Sequence, residues 1–286
     1  MVSTTKKQKS LNPLGKMNLR TKTLLTIGLT IFFLIAVAIS SLFINPTDIH
    51  TNFSMMSQPP SLEHLFGTDW MGRDMFTRTV KGLGLSIQIG LGASILSTII
   101  AVILALLSSL NKFFDSVVSW LVDLFLSVPH ILLIILISIA LGGGALGVTV
   151  GVAVTHWTTL TRVLRAEIKQ IQTSDYVKLS NKLGKSKMWI AKKHILPLVI
   201  TQIIVGTILI FPHAIMHEAS VTFLGFGLSP HEPAIGIILS ESMKYLATGN
   251  WWLALFPGLS LLIIVLLFDI AGENIKKLLD PTSANE

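Results

Sequence analysis

Residues 174–184 read SDYVKLSNKLG and the chain continues as KSKMWIAKKHILP up to Pro197, and this stretch decides how the molecule is organised. Gly184 permits a break between two short helices, because glycine readily takes the left-handed conformation that ends a helix. Ser174 is a residue type that caps a helix start, and Pro197 is typical of the first turn of a helix. The stretch therefore predicts a compact helical pair around Gly184, followed by a new helix.

The helical pair belongs to a basic segment, residues 162–197, which carries nine Lys and Arg residues and has an apolar run on either side. Such a segment suits an element that docks another protein at a membrane surface. It equally suits a basic loop that is attracted to anionic lipid. The residues alone leave both interpretations open.

Apolar runs dominate the sequence outside this segment. Hydrophobic residues make up 51% of the 286 positions and charged residues only 13%, with a mean hydropathy of +0.70, whereas soluble domains carry about 25% charged residues. This excludes an ordinary soluble enzyme. Since a helix needs about 20 apolar residues to cross a bilayer, we predict an all-α membrane protein with six transmembrane helices. They lie at about 24–44, 83–107, 117–141, 143–160, 198–219 and 253–271. Gly143, Gly147 and Gly151 form a small-residue row that favours close helix packing.

The distribution of Lys and Arg predicts the orientation. With the N-terminus in the cytoplasm, 18 of the 22 Lys and Arg residues fall on cytoplasmic segments and four fall outside. Positive residues are enriched on the cytoplasmic side of membrane proteins, so we expect both termini there. The predicted organisation is a cytoplasmic basic tail (1–23), the first transmembrane helix (24–44), an extracytoplasmic loop (45–82), a transmembrane core (83–271) that contains the cytoplasmic loop 162–197, and a second cytoplasmic tail (272–286).

Motifs for enzyme chemistry are broken or missing. His217-Glu218 begins like a zinc-protease helix, but position 221 is Val where the second His belongs. Residues 183–186 end like a phosphate-binding loop, but Leu179 stands where its first glycine belongs. The chain has no cysteine, which excludes disulfides and thiolate metal sites. We expect no catalytic residue and no cofactor bound by this chain, and the net charge of +7 is interpreted as membrane topology rather than nucleic-acid binding.

The loop resembles the EAA loop of binding-protein-dependent ABC importers, EAA-x3-G-x9-I-x-L-P. Gly184 and Leu196-Pro197 match that spacing, whereas Lys178-Leu179-Ser180 stand at the Glu-Ala-Ala positions and His194 at the Ile position. Four other stretches resemble the dipeptide, oligopeptide and nickel permeases of the same family. They are HLFGTDWMGRD (64–74), SVTFLGFG (220–227), WWLALFPG (251–258) and LDP (279–281).

The resemblance implies the type I ABC importer permease fold and the role of the second permease subunit in a bacterial cytoplasmic membrane. It implies four kinds of partner: a homologous permease that completes a heterodimer, two cytoplasmic ATPase subunits that use the ATP, an extracytoplasmic substrate-binding protein, and the lipid bilayer. The residues implied in coupling to the ATPase are Asp175, Lys178, Leu179, Ser180, Gly184, Lys187 and Pro197.

Histidines in the predicted spans bear on the cargo. His213 and His217 are four residues apart and share a helix face, Glu218 follows, and His156 lies at the cytoplasmic end of the fourth span. Imidazole is a good ligand for nickel, cobalt, copper and zinc, and this context resembles the nickel branch of the family. These four residues are candidates for the translocation path or for metal contact, with His213 and His217 as the candidate metal ligands.

Several interpretations of these features stay open. The histidine pair is either a set of metal ligands or a polar lining with interhelical hydrogen bonds. The main prediction is import of nickel or another transition metal, as the ion or as a metallophore chelate. The alternative is import of di- or oligopeptides, and a membrane enzyme or independent channel is a remote alternative. Asp123 is interpreted as an interhelical or subunit-interface contact.

Overall fold

A computed structural model describes residues 19–279, which are mainly helical, with one isolated antiparallel bridge between Thr68 and Asp74. The helices are α1 (Leu19–Phe43), α2 (Met75–Ser108), α3 (Lys112–Ser127), α4 (His130–Ala140), α5 (Gly144–Gln172), α6 (Asp175–Lys182), α7 (Lys187–Ile190), α8 (Leu196–Phe223), α9 (Ile235–Met243) and α10 (Trp252–Leu279). The rest of the predicted tails, residues 1–18 and 280–286, and the end of the 279–281 motif lie outside the described residues.

Within residues 19–279, four helices are long and apolar enough to cross a membrane on their own: Thr23–Phe43, Met75–Ser108, Lys187–Phe223 and Trp252–Leu278. A fifth is added when α3 and α4 are counted together. The prediction of an all-α membrane protein is confirmed. α5 is the sixth candidate, and its crossing stays a prediction because its threonines and basic residues make it less apolar.

The third predicted span, 117–141, is wrong as a single straight helix. α3 ends at Ser127 and α4 starts at His130, and the two helices are bent by 96°. Pro129 explains the break, since its ring disfavours the helical conformation at the preceding residue. Val128 is accordingly extended, with φ −106° and ψ 137°.

α5 is longer than the span predicted at 143–160, because the helix continues into the basic segment as far as Gln172. Gly147 and Gly151 face α4 so closely that a Cβ on them would lie 2.9 Å and 3.0 Å from the carbonyl oxygens of Ser138 and Ile134. The predicted close packing is therefore confirmed at these two glycines. Gly143 instead precedes the helix with φ +76°.

α2 is the most buried of the four long apolar helices and α1 the least. α2 packs against α5 and α8, while α1 covers α2 and α10 from outside. One core cluster lies at the end of the bundle that carries α6 and α7, and it includes Trp157, Leu164, Ile168, Val177 and Ile195. The helical pair is therefore joined to the bundle by buried apolar contacts.

A buried charged network holds the opposite end together. Asp69 is fully buried, and its Oδ2 accepts hydrogen bonds from Arg73 Nε at 2.7 Å and from an Arg78 guanidinium nitrogen at 2.6 Å. Arg78 also donates to Glu241 at 2.9 Å. Removing one partner from such a network leaves a buried charge uncompensated. The 64–74 stretch is thus fixed to α2 and α9 by its Asp and Arg residues.

Candidate functional site

The residues predicted to couple this chain to an ATPase gather at one end of the bundle. In α6 the side chain of Val177 is buried, whereas Lys178 is exposed and Leu179 is 57% exposed. Asp175 and Lys178 form an ion pair at 3.3 Å on the exposed side, and such pairs add little stability. α6 is therefore held by one face and presents the other.

Gly184 ends α6 as predicted. Its φ is +76°, its N–H donates to the carbonyl of Asn181, and the N–H of Lys185 donates to that of Ser180. This pair of bonds is the Schellman arrangement. No atom lies within 4 Å of a Cβ built on Gly184. Glycine is therefore favoured at this position by the left-handed backbone conformation, and not because neighbouring atoms would clash with a side chain.

One detail predicted for this loop is wrong, and a second is confirmed in an unexpected setting. Ser174 occupies the N-cap position of α6, but its hydroxyl donates to the carbonyl of Ile171 at 2.6 Å and does not cap the helix. Pro197 lies in the first turn of α8, as predicted, but no loop separates α8 from α7. A π-helical turn, Ala191–Ile195, joins α7 to α8, and the N–H of Leu196 donates to Ala191. The wider turn accommodates the missing N–H of proline, so the helix runs unbroken from Lys187 to Phe223.

The α6–α7 pair presents apolar side chains to its surroundings. Leu183 is 69% exposed. We call the following set the docking face: Tyr176, Leu179, Leu183, Met188 and Trp189, all partly or largely exposed. Clustered exposed apolar residues with a polar rim are typical of protein contact sites. Exposed lysines at 178, 182 and 185 supply such a rim here.

Polar contacts connect this pair to the membrane helices. Lys187 Nζ of α7 donates to the carbonyl of Leu110 at 2.6 Å, and Gln172 Nε2, at the end of α5 just before the pair, donates to the carbonyl of Ser109 at 3.0 Å. Both carbonyls belong to the turn between α2 and α3. The start of α7 is thus tied to the turn between α2 and α3.

Three histidines of the membrane bundle have their rings in sequence, and a fourth lies one helical turn away. The ring centroids of His156 and His217 are 4.9 Å apart, and those of His130 and His156 are 5.7 Å apart. His213 lies one turn before His217 and is exposed on α8. The structure therefore brings the predicted His156 and His217 together. We call His130, His156, His213 and His217 the histidine cluster.

His130 was not predicted, and its position depends on the bend at Pro129, because a straight third span would carry it away from α5. Its Nδ1 is buried and has no hydrogen-bond partner among the described residues. His156 Nδ1 lies 3.0 Å from the carbonyl of Val152, and donation to this acceptor leaves its Nε2 available. The cluster thus offers imidazole nitrogens that can donate, accept or ligate.

No group of three or more His, Cys, Asp or Glu side chains in residues 19–279 is arranged to hold a metal ion.

The carboxyl group of Glu218 lies in a different environment from the imidazole rings. It is 0% exposed in the helix packing, and its Oε1 accepts a hydrogen bond from Thr222 at 3.1 Å. Asp123 is exposed on α3 and makes no hydrogen bond or ion pair with the other residues of 19–279, so a subunit-interface role stays a prediction.

Comparison with known proteins bears on this arrangement. The family model described as the binding-protein-dependent transport system inner membrane component matches residues 97–282. A putative peptide transport system permease protein of Brucella suis biovar 1 (strain 1330) is 33% identical over 257 residues, covering 89% of this chain and 86% of the relative.

Two proteins of Bacillus subtilis (strain 168) are also similar. Its dipeptide transport system permease protein DppC is 30% identical over 253 residues, covering 88% of this chain and 79% of that protein. Its oligopeptide transport system permease protein OppC is 32% identical over 279 residues, covering 96% and 91%. The similarity thus extends well beyond the residues matched by the family model.

Proposed function

This chain belongs to the binding-protein-dependent transport system inner membrane components, and from that premise we propose that it is the second permease subunit of an importer of di- or oligopeptides. It is a permease subunit of an ABC importer and not an enzyme. The observation that carries the peptide assignment is the similarity, over most of both chains, to permeases named for peptides, dipeptides and oligopeptides.

The proposed partners follow from this role. Membership of the family implies ATPase subunits and a substrate-binding protein. We propose that the ATPase subunits use the ATP and bind the docking face, and that a homologous permease completes the path as a heterodimer. We further propose that both termini and the docking face are cytoplasmic in a bacterial membrane, since 18 of the 22 Lys and Arg residues then lie inside.

The proposed coupling uses contacts within this chain. Closure of the ATPase dimer would displace the docking face. The displacement would pass along the unbroken helix Lys187–Phe223 into the membrane. It would also reach the α2–α3 turn through the bond between Lys187 and the carbonyl of Leu110. Because packed helices move as units rather than deforming continuously, a shift at one end would change which side of the bundle is open.

A second candidate cargo is a transition metal or its chelate, and the histidine cluster favours it. Four imidazoles in a membrane bundle are uncommon, and polar residues in spans mark transport paths. With His213 and His217 on α8 and His156 opposite at 4.9 Å from His217, a small rearrangement would provide ligands of the type that nickel or zinc prefers.

Uptake by living cells tests both candidates. Cells that lack this permease, and cells that carry it on a plasmid, would be given a radiolabelled dipeptide, a radiolabelled pentapeptide or radioactive nickel with a chelator. We expect peptide uptake to depend on the permease. Peptide uptake that is equal in both strains, together with permease-dependent nickel uptake, would replace the peptide assignment by the second candidate.

A further inference from the structure

A cavity of about 410 Å³ lies between the α2–α3 turn and the α6–α7 pair. This volume is within the range of small-molecule sites, about 300–1,000 Å³. Four cationic side chains line it, with a single carboxylate: Lys112, Arg165, Lys169 and Lys187, and Asp115. The lining therefore has an excess of positive charge that the described part of the chain does not neutralise.

The ion pairs show where that excess lies. Asp115 is shared by Arg165, whose Nε is 3.2 Å from Oδ1, and by Lys169, whose Nζ is 3.0 Å from Oδ2. Lys187 bonds to the neutral carbonyl of Leu110. No acidic side chain in residues 19–279 pairs with Lys112 or Lys187. These two ammonium groups remain for an anionic ligand.

We propose that this basic cavity binds the phosphate of an anionic phospholipid from the cytoplasmic leaflet. Basic pockets between transmembrane helices on the cytoplasmic side are suited to anionic lipid head groups. The neighbouring surface suits the rest of such a lipid. Phe113 is 71% and Trp120 63% exposed, and these residues follow Lys112 on the outer side of α3, where acyl chains would lie.

The position of the cavity gives the lipid a mechanical role. Its lining includes Val177 and Asn181 of α6 and Ile190 of α7, as well as Ser109 of the α2–α3 turn and Lys112 at the start of α3. A bound phosphate would therefore join the docking segment to the membrane helices. Anionic lipid would hold the coupling elements in register, whatever the cargo of the permease.

The test uses the purified full-length chain in detergent, stripped of lipid. Phosphatidylglycerol, phosphatidylcholine or inorganic phosphate is added, and lipid binding is followed by native mass spectrometry and thermal unfolding. We expect phosphatidylglycerol to bind and raise the unfolding temperature, and phosphatidylcholine to have little effect. The variant Lys112→Gln with Lys187→Gln leaves the Asp115 ion pairs intact and is expected to bind phosphatidylglycerol about thirtyfold more weakly, since each of the two lysines near an anionic surface contributes about 1 kcal/mol.

The control is Lys192→Gln with Lys193→Gln, which removes the same charge from exposed positions outside the cavity lining and should bind like the native chain. If inorganic phosphate alone raised the unfolding temperature as much as phosphatidylglycerol does, the cavity would be a site for free phosphate. That result would overturn the assignment of a lipid as the ligand. Equal weakening in both double variants would overturn the site.

The assembled importer provides a further outcome. If the Lys112→Gln, Lys187→Gln variant bound phosphatidylglycerol normally but failed to co-purify with the ATPase, the cavity would belong to the ATPase interface. That result would overturn the lipid proposal.

Discussion

Ser180 Oγ and His194 Nε2 lie 2.9 Å apart, across the interface between α6 and the π-helical turn. These two residues stand at positions where the loop departs from the EAA pattern, which has a small apolar residue and an isoleucine there. The aromatic rings of Tyr176 and Trp189 flank His194, at centroid distances of 5.5 Å and 5.3 Å. The two departures therefore form one polar contact with each other.

This contact predicts non-additive substitutions. Ser180→Ala and His194→Ile should each destabilise the chain by about 1 kcal/mol, the net worth of a hydrogen bond. The double variant should be no less stable than the worse single variant, because it replaces both partners at once. Denaturant or thermal unfolding of all four chains measures this. Strict additivity of the two losses would show that the contact does not form.

Gly184 predicts a graded effect on transport. Gly184→Ala should cost about 1–2 kcal/mol, because a side chain disfavours the left-handed conformation, and Gly184→Asn should cost less. Gly184→Pro should cost most, since proline forbids φ +76° and removes the N–H that bonds to Asn181. ATP-driven uptake should fall in the same order, measured per permease molecule in the membrane.

A matched control for Gly184 exists near the other end of the bundle. Gly249 has φ +90°, also with no atom within 4 Å of an added Cβ. Gly249→Ala should cost comparable stability and leave coupling to the ATPase unchanged. If both alanine variants lower uptake per molecule equally, the effect of Gly184 is general stability and not transmission.

The histidine cluster predicts a shared loss. His156→Ala and His217→Ala should each reduce cargo uptake per molecule several-fold, and the double variant should be no worse than the worse single one, because the two rings are neighbours. Glutamine at these positions keeps hydrogen bonding but ligates metals poorly. Peptide uptake should persist in the His217→Gln variant, whereas uptake of a metal cargo should be lost.

His231 supplies the comparison, since it is a polar-loop histidine outside the cluster. His231→Ala should leave uptake unchanged. Normal uptake of every cargo in the His156→Ala, His217→Ala double variant would remove the cluster from the translocation path.

The proposed orientation predicts a labelling pattern. The chain contains no cysteine, so single cysteines can be introduced on a clean background. With an impermeant thiol reagent on intact cells, Asn52→Cys should be labelled and Lys185→Cys protected. In the structure Lys185 is exposed and Asn52 is partly exposed. Permeabilised cells should label both. The reverse pattern in intact cells would contradict cytoplasmic termini.

Sequence patterns predicted the features that depend on the local properties of the residues themselves. The apolar runs indicated where the membrane helices lie, and Gly184 marked the end of α6, because hydropathy and backbone conformation are encoded residue by residue. The 96° bend between α3 and α4 depends on how Pro129 is accommodated by its neighbours. His130 joins His156 only through that bend, so no pattern along the chain linked the two.

The sequence also could not predict that two neighbouring residues have different surroundings. His217 and Glu218 are consecutive, and both were candidates for the path. Adjacent residues on a helix point about 100° apart, which places His217 beside His156 and buries Glu218 against Thr222. The resemblance to a family located these residues but did not separate their roles.

The unbroken helix from Lys187 to Phe223 fixes the direction in which its histidines point relative to its first residue, Lys187. It contains 37 residues, about 55 Å at 1.5 Å per residue. One residue inserted after Thr201 would turn His213 and His217 by about 100° relative to Lys187. Seven inserted residues, nearly two full turns, would restore the direction to within about 20°. The number of residues between the docking face and the histidines therefore matters as much as their identity, because it sets the relative direction of the side chains at the two ends.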